Sequence, residues 1–198
     1  MLEPLATPHA ASRSRLTICG LQELCSFQDA AVTHVLSILD PHHPDPDDFA
    51  SYGPHNRLTL RFDDIIEPAP GMMLPEREHV EQLLAFGEGL TVADADPLRH
   101  LLIHCHAGIS RSSASMVTLL AEASPDADED GLFATIREIR PQAWPNSRMV
   151  GIADDLLGRG GRLTQALRRH YGEQVRRRPD LAEMIKRVGR ERELQMAA

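Results

Sequence analysis

The strongest constraint on this chain is a junction near its middle. Leu98–Cys105, LRHLLIHC, is the most apolar run, short for a helix and too continuous to be half-exposed. Such a run suits a strand buried on both faces, as in a parallel sheet. The turn HAGISR follows, and then Ser112–Ala123, SSASMVTLLAEA, a small-residue helix that packs closely on its neighbours. Strand, tight loop and helix in this order predict an α/β unit. Ligands in such sheets bind beyond the carboxyl ends of the strands, which is where Cys105 falls.

The rest of the chain supports the same class. Leu16–Cys19 reads as a short strand, and GLQELCSF after it as one helical stretch. Ala31–Leu39, rich in β-branched and apolar residues, predicts a buried strand that ends where DPHHPDPDD begins. Arg57–Phe62 alternates, with Leu58, Leu60 and Phe62 on one face. Asp63–Pro75 is a loop, and Pro75 suits the start of a helix through EREHVEQLLAFGEGL. Further helices are expected near Asp128–Arg140, over SRMVGIADDLLG, and over Leu163–Tyr171 and Leu181–Leu194. The predicted fold is α/β: a central, mostly parallel sheet of four to five strands, flanked by helices on both faces, with a helical C-terminal extension.

Composition excludes several classes. The chain has 198 residues, 42% hydrophobic and 25% charged, enough for one domain with a core that needs no disulfides. No apolar run approaches the roughly 20 residues needed to cross a bilayer. The first 15 residues lack the apolar stretch of a secretory signal. Three cysteines, Cys19, Cys25 and Cys105, show no metal-site spacing and fit a reducing, cytoplasmic setting. A net charge of −8 argues against nucleic acid as a partner. The sign is uneven: residues 159–198 hold 11 Lys and Arg against 5 Asp and Glu. That tail reads as a solvated helical face, and Asp154-Asp155 as helix surface. His42 and His43 beside Asp45, Asp47 and Asp48 have no recognisable ligand spacing, so no metal and no other cofactor is expected.

The junction itself carries chemistry. A loop from a strand into a helix N-terminus can turn successive backbone N–H groups inward and cradle an anion. Gly108 permits the left-handed backbone such a loop needs. Cys105 would sit at the floor of the cradle, where amides and helix dipole favour thiolate over thiol. Arg111 starts the helix and can return its planar fork to two oxygens of a phosphate. Ser112 can place a hydroxyl near the sulfur.

His104-Cys105-His106-Ala107-Gly108-Ile109-Ser110-Arg111-Ser112 resembles the HC-x5-R loop of the cysteine-dependent protein tyrosine phosphatases. Ser112 and the short chain make it most similar to the dual-specificity branch, and within it to predicted bacterial tyrosine phosphatases. The likeness spans roughly Ala31–Leu157 and includes Arg140-Pro141 through Pro145-Asn146, where the family's asparagine, here Asn146, braces the loop. It implies a catalytic domain, placed over 15–158; the residues on either side read as a flexible arm over 1–14 and a basic helical extension over 159–198.

By that resemblance, Cys105 attacks phosphorus, while Arg111 and the loop residues His106, Ala107, Gly108, Ile109 and Ser110 hold the phosphoryl oxygens. Ser112 stabilises the thiolate when it leaves, and His104 supports the loop from behind. The family's general acid is an aspartate about 40 residues before the cysteine; the alignment puts Asp64 there, with Asp63 as the alternative. The implied substrate is a phosphorylated protein or peptide, and phosphate, sulfate or vanadate should occupy the loop. Two other readings stay open. The same chemistry could act on a nucleotide, an RNA end or a phosphoinositide, although the loop lacks the lysines that phosphoinositide enzymes tend to carry. A non-catalytic phosphate-binding module is the other. A disulfide from Cys19 or Cys25 to Cys105 would need their Cα atoms within about 7 Å. The sequence carries no signal for an oligomeric state.

Overall fold

Strand β4 (His100–Cys105) lies inside the sheet, with β1 (Arg15–Gly20) on one side and β2 (His34–Leu39) on the other. β3 (Asn56–Arg61) completes the order β1-β4-β2-β3, and every pairing is parallel. This computed structural model describes residues 15–92 and 99–197, without the side chains of residues 91 and 92. The expected arm over 1–14 lies outside the described residues. All six residues of β4 are buried, as the apolar run requires.

Alternation along the strands sorts side chains to two cores. Leu101, Ile103 and Cys105 join a large cluster with Leu36, Ile38 and Leu60. Leu102 faces the other way, toward Val35, Leu24 and Phe49. The α-helices lie on the first side: α1 (Arg77–Val92), α2 (Arg111–Ala123), α3 (Glu129–Ile139), α4 (Ser147–Leu156) and α5 (Arg162–Arg177). The second side is covered by two 3-10 segments, Leu21–Phe27 and Asp47–Ser51. The stretch GLQELCSF is thus a 3-10 helix, and β2 begins only at His34, after Ala31 adopts a positive φ of 51°.

The C-terminal segment is helical but is not a solvated face. In α5, Leu163, Ala166, Leu167 and Tyr171 are buried in the main core. Tyr171 stacks on Trp144, with ring centroids 4.3 Å apart. Arg159 is buried and donates to the carbonyls of Ala121 and Ser124 that end α2. Asp154 is also buried, contrary to the surface expectation. Its carboxylate accepts from the amides of Gly161 (2.8 Å) and Thr164 (2.6 Å), supplying partners for orphan donors at the start of α5. The expected helix over Leu181–Leu194 is two helices, α6 (Pro179–Arg187) and α7 (Glu191–Met196), because Gly189 turns the chain at φ 75°. No helix among the described residues is long and apolar enough to cross a membrane.

Candidate active site

The loop that leaves β4 is shaped from outside. Every carbonyl from His106 to Ser110 points outward to a protein donor. His106 O accepts from Leu21 N (3.0 Å), Ile109 O from Trp144 N (2.8 Å), and Ser110 O from Ala114 N (2.9 Å). Arg140 holds the middle of the loop. Its Nε donates to Gly108 O (3.0 Å) and its second terminal nitrogen to Ala107 O (3.1 Å). Glu23 fixes that guanidinium with two bonds of 2.8 and 2.7 Å. With the carbonyls committed, the amides of residues 107–111 donate to no protein group among the described residues. They form the unpaired donor ring an oxyanion needs. Gly108 is obligatory here. Its φ is 66°, and a Cβ would lie 2.4 Å from the carbonyl carbon of Cys19 on β1.

Cys105 is buried at the base of this ring, and Ser112 Oγ stands 3.2 Å from its sulfur. Arg111 is also buried. One terminal nitrogen donates to Asp40 Oδ1 (2.7 Å) and to Phe62 O (2.6 Å). Its Nε is buried without a partner. Asp40 thus commits one corner of the fork and leaves the Nε edge for a ligand, a role the sequence did not suggest. His106 lies beside it: Asp40 N donates to His106 Nε2 (3.3 Å), and the His43 ring stands edge-on at 4.6 Å.

His104 belongs to the opposite face of the sheet from Cys105, tilted against Phe49, with Nε2 2.7 Å from Ser37 Oγ. Burial, with help from the nearby Arg57, pushes its pKa down to about 3, so the ring is neutral. It can brace the strand but does not share a face with the nucleophile. Cys19 also points to that second core, away from Cys105, so the suggested Cys19–Cys105 disulfide does not fit.

The two loop acids are held differently. Asp63 pins its own loop: its amide donates to Met73 O (2.8 Å), and its Oδ2 accepts from Met73 N (2.6 Å). Asp64 reaches the cysteine loop. Its Oδ1 accepts from Ser110 Oγ (2.7 Å), Asn146 Nδ2 (3.0 Å) and Arg190 (3.1 Å). Burial opposes ionisation of Asp64. The guanidinium groups of Arg190 and Arg111 and the bonds from Ser110 and Asn146 outweigh it and hold the carboxyl below its usual range. Asn146 caps α4 through Oδ1, while its amide nitrogen also donates to Ile65 O (3.2 Å). Its side chain therefore secures the acid loop, and its backbone N–H meets Ser110 O at 3.4 Å.

Arg190 was invisible in the sequence, one arginine among many in the tail. It is buried, donates to Ser110 Oγ (2.6 Å), and pairs with Glu193, which is fully buried. Glu193 in turn accepts from Trp144 Nε1 (2.8 Å) and Ser147 N (2.8 Å). A cavity of about 660 Å³ opens above Cys105 and Arg111, walled by Asp64 and the 65–72 loop on one side and by Met184, Val188 and Arg190 on the other. Among the described residues no group of three or more His, Cys, Asp or Glu is placed to hold a metal.

In fold the chain is similar to solved structures of dual-specificity and protein tyrosine phosphatases. It is similar to human DUSP28, at 19% identity and TM-score 0.53 over 76% of this chain and 96% of that one. It is similar to the PTP-2 phosphatase of Cydia pomonella (17% identity, TM-score 0.55, 73% and 86% covered). The Yvh1 phosphatase domain from Chaetomium thermophilum also matches (21% identity, TM-score 0.52, 76% and 95% covered). No family model and no curated protein matches the sequence.

Proposed function

We propose that the protein is a phosphatase of the tyrosine or dual-specificity type, hydrolysing phosphomonoesters of a protein or peptide through a cysteinyl-phosphate. One observation carries this: the sulfur of Cys105 lies beneath a ring of unpaired amides, beside a guanidinium whose Nε edge has no protein partner.

The Cys105 thiolate attacks phosphorus. The S–P bond forms as the ester P–O bond breaks, and the leaving oxygen takes a proton from Asp64. The loop amides and Arg111 meet the oxygens on which charge develops. Asp64, now ionised, draws a proton from water, whose oxygen attacks phosphorus. The S–P bond breaks, and the departing thiolate is received by the Ser112 hydroxyl. Without substrate Asp64 is held ionised. An arriving phosphate dianion offsets Arg111, one of the two guanidinium groups responsible, and so favours the protonated acid. Asp64, which reaches the cysteine loop through Ser110 and keeps Oδ2 open among the described residues, suits this step better than Asp63, whose carboxylate is tied to the Met73 amide of its own loop.

The exposed apolar residues Met72 and Val188 stand at the rim, which favours an aromatic phosphate ester over a small polar one. PTPMT1, a further structural neighbour at 11% identity, is known in complex with PI(5)P. Here residues 106–110 contain no lysine to meet extra phosphates, which supports a phosphoprotein substrate over a phosphoinositide. Intact Cys105, Arg111 and Asp64 favour an enzyme over a binding module. Three free cysteines are consistent with a reducing, cytoplasmic setting.

The test is hydrolysis of p-nitrophenyl phosphate in the presence of a chelator. Vanadate should block it and Cys105→Ser should abolish it; activity that survives Cys105→Ser refutes the mechanism.

A further inference from the structure

We propose that Arg190, delivered from the C-terminal segment, is a positioning residue for proton transfer, holding Asp64 so that the proton rides on the oxygen open to the leaving group. This rests on the phosphatase reading and deepens it.

Three donors converge on one oxygen of Asp64. Ser110, Asn146 and Arg190 all bond Oδ1, and Oδ2 accepts from nothing among the described residues. A protonated carboxyl keeps its hydrogen on one oxygen and accepts on the other. Saturating Oδ1 with donors therefore assigns the proton to Oδ2. Ser110 and Asn146 belong to the elements around the loop. Arg190 alone comes from far along the chain, 126 residues after Asp64.

Arg190 is itself held rigidly. Gly189, at φ 75°, turns the chain out of α6, and Arg190 is 4% exposed at the turn. One terminal nitrogen spans Asp64 Oδ1 and Ser110 Oγ, and the other meets Glu193 at 2.7 Å. Glu193 is anchored by Trp144, Ser147 and the Tyr171 hydroxyl. A charge so deeply desolvated persists only when its partners are fixed. Those partners lead straight to the candidate acid. The tail is thereby built into the site, since Met184 and Val188 of the same segment wall the cavity.

General acid assistance matters little to an ester that leaves easily and much to one that does not. Arg190→Gln should therefore be compared on p-nitrophenyl phosphate and on phenyl phosphate, whose leaving group is far more basic. The expected kcat loss on phenyl phosphate exceeds that on p-nitrophenyl phosphate by on the order of tenfold, a fraction of what general acid catalysis supplies. Arg190→Lys, which keeps the charge but cannot bridge three partners, should recover part of that difference. It also serves as the readout if the Gln variant does not fold. In an Asp64→Asn background the difference should vanish, because no proton remains to be placed.

Equal losses on both esters, or a difference that persists without Asp64, would overturn the proposal and leave the phosphatase reading intact. Absence of Cys105-dependent hydrolysis in the unsubstituted protein would overturn both.

Discussion

Replacing Arg140 by methionine removes the clamp that turns the cysteine loop's carbonyls outward. The guanidinium donates to Gly108 O and Ala107 O and is fixed by Glu23. The Glu23 side chain is 44% exposed, so the ion pair itself contributes only about 0–1 kcal/mol. The two bonds to carbonyls count for more. A hydrogen bond to a charged group contributes about 1.5–3 kcal/mol, and water replaces part of that at the more open Ala107 contact, leaving roughly 2 kcal/mol in all. If that energy biases the loop toward its inward-amide form, its loss weakens oxyanion binding by about 30-fold. The assay is tungstate or phosphate inhibition of p-nitrophenyl phosphate hydrolysis, with thermal melting as a control. Arg140→Lys should rescue little, because one ammonium cannot replace a planar fork that spans two carbonyls and a carboxylate. An inhibition constant within about threefold of the parent, where 1.4 kcal/mol gives tenfold, would show that the amides hold their direction without Arg140.

Acid should destabilise the fold earlier than its carboxylates alone would dictate. His170 is buried, with Nε2 3.0 Å from Ala143 O, and burial pushes its pKa down to about 4 from 6.5. The neutral ring is the form the fold favours, so its stabilisation is complete above pH 6.5 and is lost as pH falls toward 4. At about 1.36 kcal/mol per pH unit this amounts to roughly 3 kcal/mol for His170, with buried His104 acting in the same direction, and urea unfolding of the parent against His170→Gln across that range isolates it; a parent profile that is flat from pH 6.5 to 4.5 refutes it. Peroxide treatment followed by peptide mapping should find no Cys19–Cys105 disulfide, since the two thiols face opposite cores. Cys19, pushed up to about 12 by burial and by Glu23, should also resist alkylation that the exposed Cys25 accepts.

What could be read from the sequence followed chain locality. Leu98–Cys105 and the helix after it are neighbours in the sequence and in space, so hydrophobic pattern and residue type suffice to place Cys105 and Ser112 together. Asp64 is reachable only through the family resemblance, which implies an acid about 40 residues before the cysteine; the end of the strand Arg57–Phe62 then favours Asp64 over Asp63. Asp40 is not reachable: it closes β2 at the start of a proline-rich stretch, and only its distance to Arg111 singles it out. Arg190 and Glu193 were harder still. An arginine three residues before a glutamate is an ordinary pattern on a solvated helix, and nothing local separates it from a buried pair. Asp154 reads as helix surface for a related reason, because the amides it accepts from lie seven and ten residues ahead, beyond the range of familiar capping rules. The tail's burial was obscured by its eleven basic residues, several of which, such as Arg168 and Arg176, lie on the outer side of α5 while Leu163, Leu167 and Tyr171 face inward.

β4 is bonded along both edges, so the thiol is mounted on the part of the molecule least prone to local opening. The candidate proton donor, Asp64, sits instead on a connecting loop and depends on Arg190, at the turn between two short helices; loops and short helices open before a central strand does. Gentle heating or low denaturant should therefore separate the two halves of the chemistry in order. The warmed protein would still take phosphate from activated esters while already failing on the unactivated ones found in a cell.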